Sequence, residues 1–141
     1  MKAWGTDIDG NCVFCNEQET RNHLFFECNF SKGIWKEIMC RCGLNRRILS
    51  WENEVKWAVE RLKGKALIST LLKIAWTAFI YNVWREMNSR VFAQKYGSEE
   101  QIINNIEEVV RVRLERLKNV KNDAVNVLLY RSWGLHRSIF D

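Results

Sequence analysis

Three cysteines and one histidine near the start of the chain have the spacing of a metal site, Cys12-x2-Cys15-x7-His23-x4-Cys28. A C-x2-C pair on a tight turn can direct two sulfurs at one ion about 2.3 Å away. Structural zinc takes four tetrahedral ligands, mostly thiolates with one or two imidazoles. We therefore predict a structural Zn²⁺ held by Cys12, Cys15, His23 and Cys28. Since protein side chains fill all four positions, no site is left for a catalytic water.

The remaining thiols and carboxylates do not form a second reactive set. Cys40 and Cys42 form a C-x-C pair, but His136 is the one further imidazole for a second metal, so we interpret the pair as partly buried thiols. A redox role for the C-x2-C pair would normally accompany a βαβ pattern, which the sequence lacks. Glu107 and Glu108 are adjacent and diverge around a helix. With no Gly-rich phosphate loop either, we predict that the protein is not an enzyme.

Basic side chains in the C-terminal two-thirds of the chain are candidates for binding phosphates. Residues 1–60 carry eight Lys or Arg against nine Asp or Glu, whereas residues 61–100 carry seven against three. The whole chain has a formal net charge of +5, which permits contact with nucleic acid but does not require it. An ordinary solvated helix face is the alternative interpretation of these residues. The candidate nucleic-acid-binding residues are Arg85, Arg90, Arg111, Arg113, Arg116, Lys118 and Lys121.

The elements that must position these residues are predicted to be helices. We expect an all-α fold in which a small zinc knuckle and a short helix (residues 1–43) precede a helical domain (residues 44–141). Ser98 and Gln101 form a capping-box pattern, and Gly43 is a plausible stop for the short helix. The absence of proline from all 141 residues suits long helices. In the second domain the expected helices span about 51–62, 65–96 and 98–121, followed by a C-terminal segment.

One apolar stretch is long enough to cross a bilayer, but its composition favours a buried helix. Residues 66–84 contain Lys73 as their sole charge, near the centre, where insertion scales penalise lysine by about 2.5–3.5 kcal/mol. We therefore expect no membrane span, and we expect most of the seven tryptophans to lie in a core. Asp7 and Asp9 precede Cys12 without an apolar run, so no secretory signal is expected. We predict an intracellular, reducing compartment, either nucleus or cytoplasm.

Two further stretches of sequence resemble one known family. Cys12-Val-Phe-Cys15, Glu19-Thr20, His23-Leu24-Phe25-Phe26, Cys28 and Trp35 resemble the zinc-binding domain at the C-terminal end of plant non-LTR (LINE-type) retrotransposon reverse transcriptases. The stretch from Val83 to Phe92 is similar to the W-R-E-R-N-x-R-x-F helix that follows in that family, with Met87 where arginine is usual. The resemblance implies a Cys-Cys-His-Cys zinc site and a nucleic-acid-binding role. Since no polymerase or endonuclease region accompanies these motifs, we expect a stand-alone remnant.

Two kinds of partner therefore stay open. The first is nucleic acid, bound by the positive surface of residues 61–121. The second is a protein partner or a second copy of the chain, bound through the tryptophan-rich helices, with zinc purely structural. The ancestry implied by the resemblance favours nucleic acid, whereas the modest charge and the nearly continuous apolar helix favour protein contacts.

Overall fold

Five α-helices make up the regular structure of the described part of the chain. The structure is a computed structural model, and it describes Phe14, Phe25, Phe26, residues 28–117 and residues 120–134. The prediction of an all-α fold is confirmed there, whereas most of the predicted zinc knuckle lies outside the described residues. The helices are α1 (Asn29–Arg41), α2 (Trp51–Leu62), α3 (Leu67–Phe92), α4 (Glu99–Glu115) and α5 (Ala124–Ser132).

Helix α3 is the central element, and the other four helices all pack against it. Leu71, Ala75, Phe79 and Val83 recur every four residues on one face and are fully buried. By length and composition, α3 is apolar enough to cross a membrane, but half of its most apolar window is covered by the rest of the protein. That burial is typical of a central helix in a bundle.

A cluster of six aromatic side chains joins the segment before α1 to the first three helices. The Phe26 ring stacks on Phe79 at 5.7 Å between centroids, and the Trp35 ring lies 4.8 Å from Phe79. Trp35 also meets Trp76 edge-on at 5.4 Å. This cluster therefore holds α1, α3 and the segment before α1 in one core. Its members are Phe25, Phe26, Trp35, Trp51, Trp76 and Phe79.

A buried carboxylate lies beside this cluster. Glu54 of α2 is fully buried, and its two oxygens accept four hydrogen bonds. The Arg46 guanidinium donates two of them at 2.8 and 3.0 Å, Trp35 Nε1 donates a third at 3.1 Å, and the Leu49 amide donates the fourth at 2.8 Å. Arg46 also lies over the Trp57 ring at 3.8 Å. The Glu54 carboxylate thus ties α1, α2 and their connection together.

Glycine and capping residues set the helix ends, with two differences from the sequence-based boundaries. Gly43 has φ +76°, as expected for a helix stop. The capping box is confirmed, because Ser98 Oγ accepts from the Gln101 amide at 3.1 Å and Gln101 Oε1 accepts from the Ser98 amide at 2.9 Å. Helix α3 spans Leu67–Phe92 rather than 65–96, since Gln94 adopts a left-handed φ of 53° and ends the helix early.

Helix α4 is also shorter than predicted, because the chain turns before the last basic residues. It ends at Glu115 rather than near residue 121. A new helix starts after Asp123, whose side chain accepts a hydrogen bond from the Asn126 amide at 2.8 Å. Lys121 therefore lies between α4 and α5 and does not continue the basic face of α4.

Candidate nucleic-acid interface and zinc-ligand segment

Cys28 is the one predicted zinc ligand within the described part of the chain. It occupies the N-cap position of α1 and is fully buried. Its carbonyl oxygen accepts from the Lys32 amide at 2.8 Å, which starts the helix. Cys12, Cys15 and His23 lie outside the described residues. The described residues contain no cluster of three His, Cys, Asp or Glu side chains, and this finding does not test the predicted set.

Phe14, a described residue of the predicted zinc-binding segment, packs against α1. Phe14, which stands between Cys12 and Cys15 in the sequence, stacks on Phe30 of α1 at 4.7 Å. Phe30 follows Cys28 by two residues. The Arg90 guanidinium of α3 lies over both rings, 4.9 Å from Phe14 and 4.6 Å from Phe30. A residue of the C-x2-C segment therefore packs beside the start of α1, where Cys28 is located.

Arg90 differs from the sequence-based expectation, because its guanidinium is used inside the protein. Its side chain is 11% exposed and pairs with Glu86 at 2.8 Å. It also donates to the Gly97 carbonyl at 2.9 Å. The Gly97 amide in turn donates to the Glu86 carboxylate, and a Cβ at Gly97 would lie 2.5 Å from that carboxylate. This placement argues against contact between Arg90 and nucleic acid. The sequence signal for the ion pair is the spacing of four residues between Glu86 and Arg90 on one helix.

A groove between α3 and α4 brings basic and aromatic side chains together. We define the α3–α4 groove as a hollow of about 290 Å³ between the two helices together with an adjoining hollow of about 490 Å³ on the surface of α3. Thr77 and Tyr81 line both hollows, Lys73 and Arg113 line the first, and Trp84 lines the second. Among the described residues that line them, Lys73 and Arg113 are the charged ones, and both are positive. The other lining residues are Ile74, Trp76, Ala78, Ile80, Asn82 and Val109.

Further predicted cations extend the α3–α4 groove at both ends. Arg85 is exposed and follows Tyr81 by four residues, so it shares that side of α3. Arg116 is exposed and continues the stripe of Val109 and Arg113 on α4. Among the described residues, no acidic side chain lies within ion-pair distance of these cations or of Lys73. Arg85, Arg113 and Arg116 are thus exposed within or beside the α3–α4 groove.

The remaining predicted cations lie elsewhere. Arg111 is half-buried and donates to the Trp133 carbonyl at 3.3 Å. Lys121 lines a separate hollow of about 520 Å³ at the start of α3, together with Lys65. Lys118 lies outside the described residues. The structure therefore places part of the predicted basic set on the α3–α4 groove.

Two exposed aromatic rings, those of Tyr81 and Trp84, are a further feature of this surface. Tyr81 is 54% exposed and Trp84 is 40% exposed. Their ring centroids lie 6.4 Å apart with a tilt of 37° between the planes. Trp35 and Trp133, by contrast, are buried as predicted. Lys73 also lines this surface and was not among the predicted cations, although a lysine within an apolar helix marks the side that faces water.

The two thiols of the C-x-C pair differ in burial. Cys40 is exposed and Cys42 is buried. Burial raises the pKa of the Cys42 thiol from 9.0 to about 12. Cys42 is therefore a protonated, unreactive core side chain at neutral pH.

Comparison with known protein families gives one match, and it covers the predicted zinc-binding segment. Residues 1–35 match the family described as zinc-binding in reverse transcriptase. That range contains all four predicted ligands and ends within α1. It covers about a quarter of the 141 residues, so it relates this segment to a zinc-binding domain of reverse transcriptases. Comparison with curated proteins and with solved structures gives no match.

Proposed function

We propose that the protein is a non-enzymatic, zinc-binding module that binds nucleic acid and derives from a plant non-LTR retrotransposon reverse transcriptase. The family match over residues 1–35 supports the zinc-binding part of this proposal. In it, Cys12, Cys15, His23 and Cys28 hold one structural Zn²⁺. The ion supplies folding free energy to a segment too small to bury a core alone.

The position of Cys28 suits a metal thiolate. Thiolates are favoured at helix N-termini, where the backbone amides and the helix dipole stabilise negative charge. Cys28 occupies that position in α1 and is shielded from water. The stacking of Phe14 on Phe30 adds support, because it pairs a side chain of the C-x2-C segment with one beside Cys28.

The α3–α4 groove is the observation that carries the nucleic-acid part of the proposal. Lys73 and Arg113 line it, Arg85 and Arg116 flank it, and the described lining residues include no carboxylate. Cations without acidic neighbours keep their full charge available for phosphates. Phosphate contacts of this kind supply most of the affinity of non-specific nucleic-acid binding.

The salt dependence of binding tests this proposal. Fluorescence anisotropy with a labelled oligonucleotide, in single-stranded and duplex form, gives the dissociation constant at a series of salt concentrations. The logarithm of affinity should fall linearly with the logarithm of salt concentration, by about 0.9 per phosphate contact on duplex DNA and about 0.7 on a single strand. The double variant Lys73→Ala/Arg113→Ala should lower that slope by about 1.8 on the duplex and about 1.4 on the single strand.

A charge-matched double variant provides the control. Lys36 of α1 and Lys56 of α2 are exposed and lie outside the α3–α4 groove. Lys36→Ala/Lys56→Ala removes the same net charge and should leave the slope within about 0.5 of the native value. If neither nucleic-acid form binds, or if both double variants reduce the slope equally, the proposed interface is refuted.

A second candidate function, binding of a protein partner or a second copy of the chain, is favoured by apolar exposure on the same side. Tyr81 and Trp84 are joined there by Val109, which is 41% exposed, and by Val112 at 37%. Light scattering over a concentration series, with and without oligonucleotide, separates the candidates. A monomer that gains mass with oligonucleotide supports nucleic acid, whereas self-association without it supports the second candidate.

A further inference from the structure

We infer that Tyr81 and Trp84 form a stacking platform for unpaired bases, so that the α3–α4 groove prefers single-stranded nucleic acid to a duplex. This inference rests on the proposed function. It adds a preference for single-stranded nucleic acid and names the two residues that cause that preference. Phosphate contacts alone do not distinguish a single strand from a duplex, whereas stacking on exposed rings does.

The geometry of the two rings suits stacking. Their centroids are 6.4 Å apart and their planes are tilted by 37°, so the two rings are neighbours on α3. Both rings are partly covered by the protein, which fixes their orientation, and they remain 54% and 40% exposed. Bases in a duplex already stack on each other, so unpaired bases are the ones that can use such a surface.

The charges around the platform follow the path that a strand would take. Lys73 precedes Tyr81 by two helical turns, and Arg85 follows it by one, so these cations span about 18 Å along α3. Arg113 faces the same groove from α4. A cationic groove beside aromatic rings is the usual arrangement of proteins that bind single strands without sequence preference.

The charge pattern also selects nucleic acid over an apolar protein surface. A hydrophobic partner seated on Tyr81 and Trp84 would cover Lys73 and Arg113 without offering them a counter-charge, and burying unpaired charges is costly. A single strand places phosphates beside the cations while its bases cover the rings. The complementarity therefore favours a polyanion that carries flat apolar groups.

Removal of each ring tests the inference. Affinities for labelled oligothymidylate and oligouridylate of about 15 nucleotides, and for a duplex of the same length, are measured by anisotropy on the full-length, zinc-loaded protein. Trp84→Ala and Tyr81→Ala should each weaken single-strand binding by roughly 5- to 160-fold and leave the salt slope unchanged. Duplex binding should change by less than about twofold, because the rings do not contact paired bases.

Ring-retaining and remote variants serve as controls. Trp84→Phe and Tyr81→Phe keep an aromatic face and should retain most of the single-strand affinity. Leu128→Ala removes an apolar side chain that is 64% exposed on α5, away from the α3–α4 groove, and should bind as the native protein does. Far-UV circular dichroism and zinc content confirm that each variant keeps its fold.

The outcomes separate this inference from the proposed function. Single-strand binding that survives both alanine substitutions overturns the stacking platform while leaving the phosphate-binding groove in place. Equal weakening of duplex and single-strand binding overturns it as well. If neither form binds the native protein, the proposed function itself fails. Self-association that disappears in the alanine variants would then assign the rings to a protein interface.

Discussion

Replacing Glu54 by alanine should destabilise the protein strongly, because the change leaves buried donors without an acceptor. Removing one partner of a buried ion pair costs about 3–5 kcal/mol. Arg46 keeps 18% exposure and its contact with the Trp57 ring, which places this cost at the lower end. The Trp35 indole N–H is left buried without an acceptor, at about 1–3 kcal/mol. Since these costs overlap, we expect a loss of about 4 kcal/mol from a total of about 5–15 kcal/mol.

Urea denaturation followed by circular dichroism measures this loss directly, and the melting temperature should fall by roughly 10–20 °C. Glu54→Gln keeps one acceptor oxygen and should cost about half as much. Glu52 lies two residues before Glu54 in the first turn of α2 but is exposed, and Glu52→Ala should cost less than about 1 kcal/mol. A Glu54→Ala loss below about 1 kcal/mol would show that the four hydrogen bonds do not hold the carboxylate as described.

Three other predictions follow from particular residues. Cys15→Ser should lower the zinc content below one ion per chain by elemental analysis, whereas Cys40→Ser should retain one; full occupancy in the first variant would refute the ligand set. Ser98→Ala should cost about 1 kcal/mol in urea denaturation, because it removes the capping box of α4, and an unchanged midpoint would contradict that role. The raised pKa of Cys42 means that its stabilising contribution is complete below pH 9 and is lost as pH rises towards 12. Between those values Cys42→Ala should therefore flatten the fall of unfolding free energy with pH by up to about 1.4 kcal/mol per pH unit, and an unchanged slope would refute this.

Local signals predicted the helices well where capping and periodicity agree. Helix α2 spans Trp51–Leu62, the range expected from the sequence, and the capping box at Ser98 starts α4 as expected. The end of α3 was missed because a glutamine, not a glycine, adopts the left-handed conformation there. The Glu54 site was also invisible, since its partner Trp35 is 19 residues away and no local pattern links them.

Only part of the candidate interface could be predicted, because the sequence of α3 does not indicate which side of that helix faces water. Its apolar residues surround the helix on nearly all sides, so periodicity alone could not indicate which side faces water. Packing against α4 decides this, and it exposes Tyr81, Trp84 and Lys73. Helix α4 has a clear apolar stripe, so its exposed cations Arg113 and Arg116 were identified from the sequence.

The insertion of Phe25 and Phe26 into the aromatic cluster has a consequence for how the chain can be divided. These rings precede α1, yet they fill the space between Trp51, Trp76 and Phe79 of the next two helices. A fragment starting at residue 44 would present Trp51, Trp76 and Phe79 to water and would lose Trp35, the partner of Glu54 on α1. We therefore expect the metal-binding segment and the bundle to melt in a single transition, and a chelator to lower the melting temperature of all the helices together.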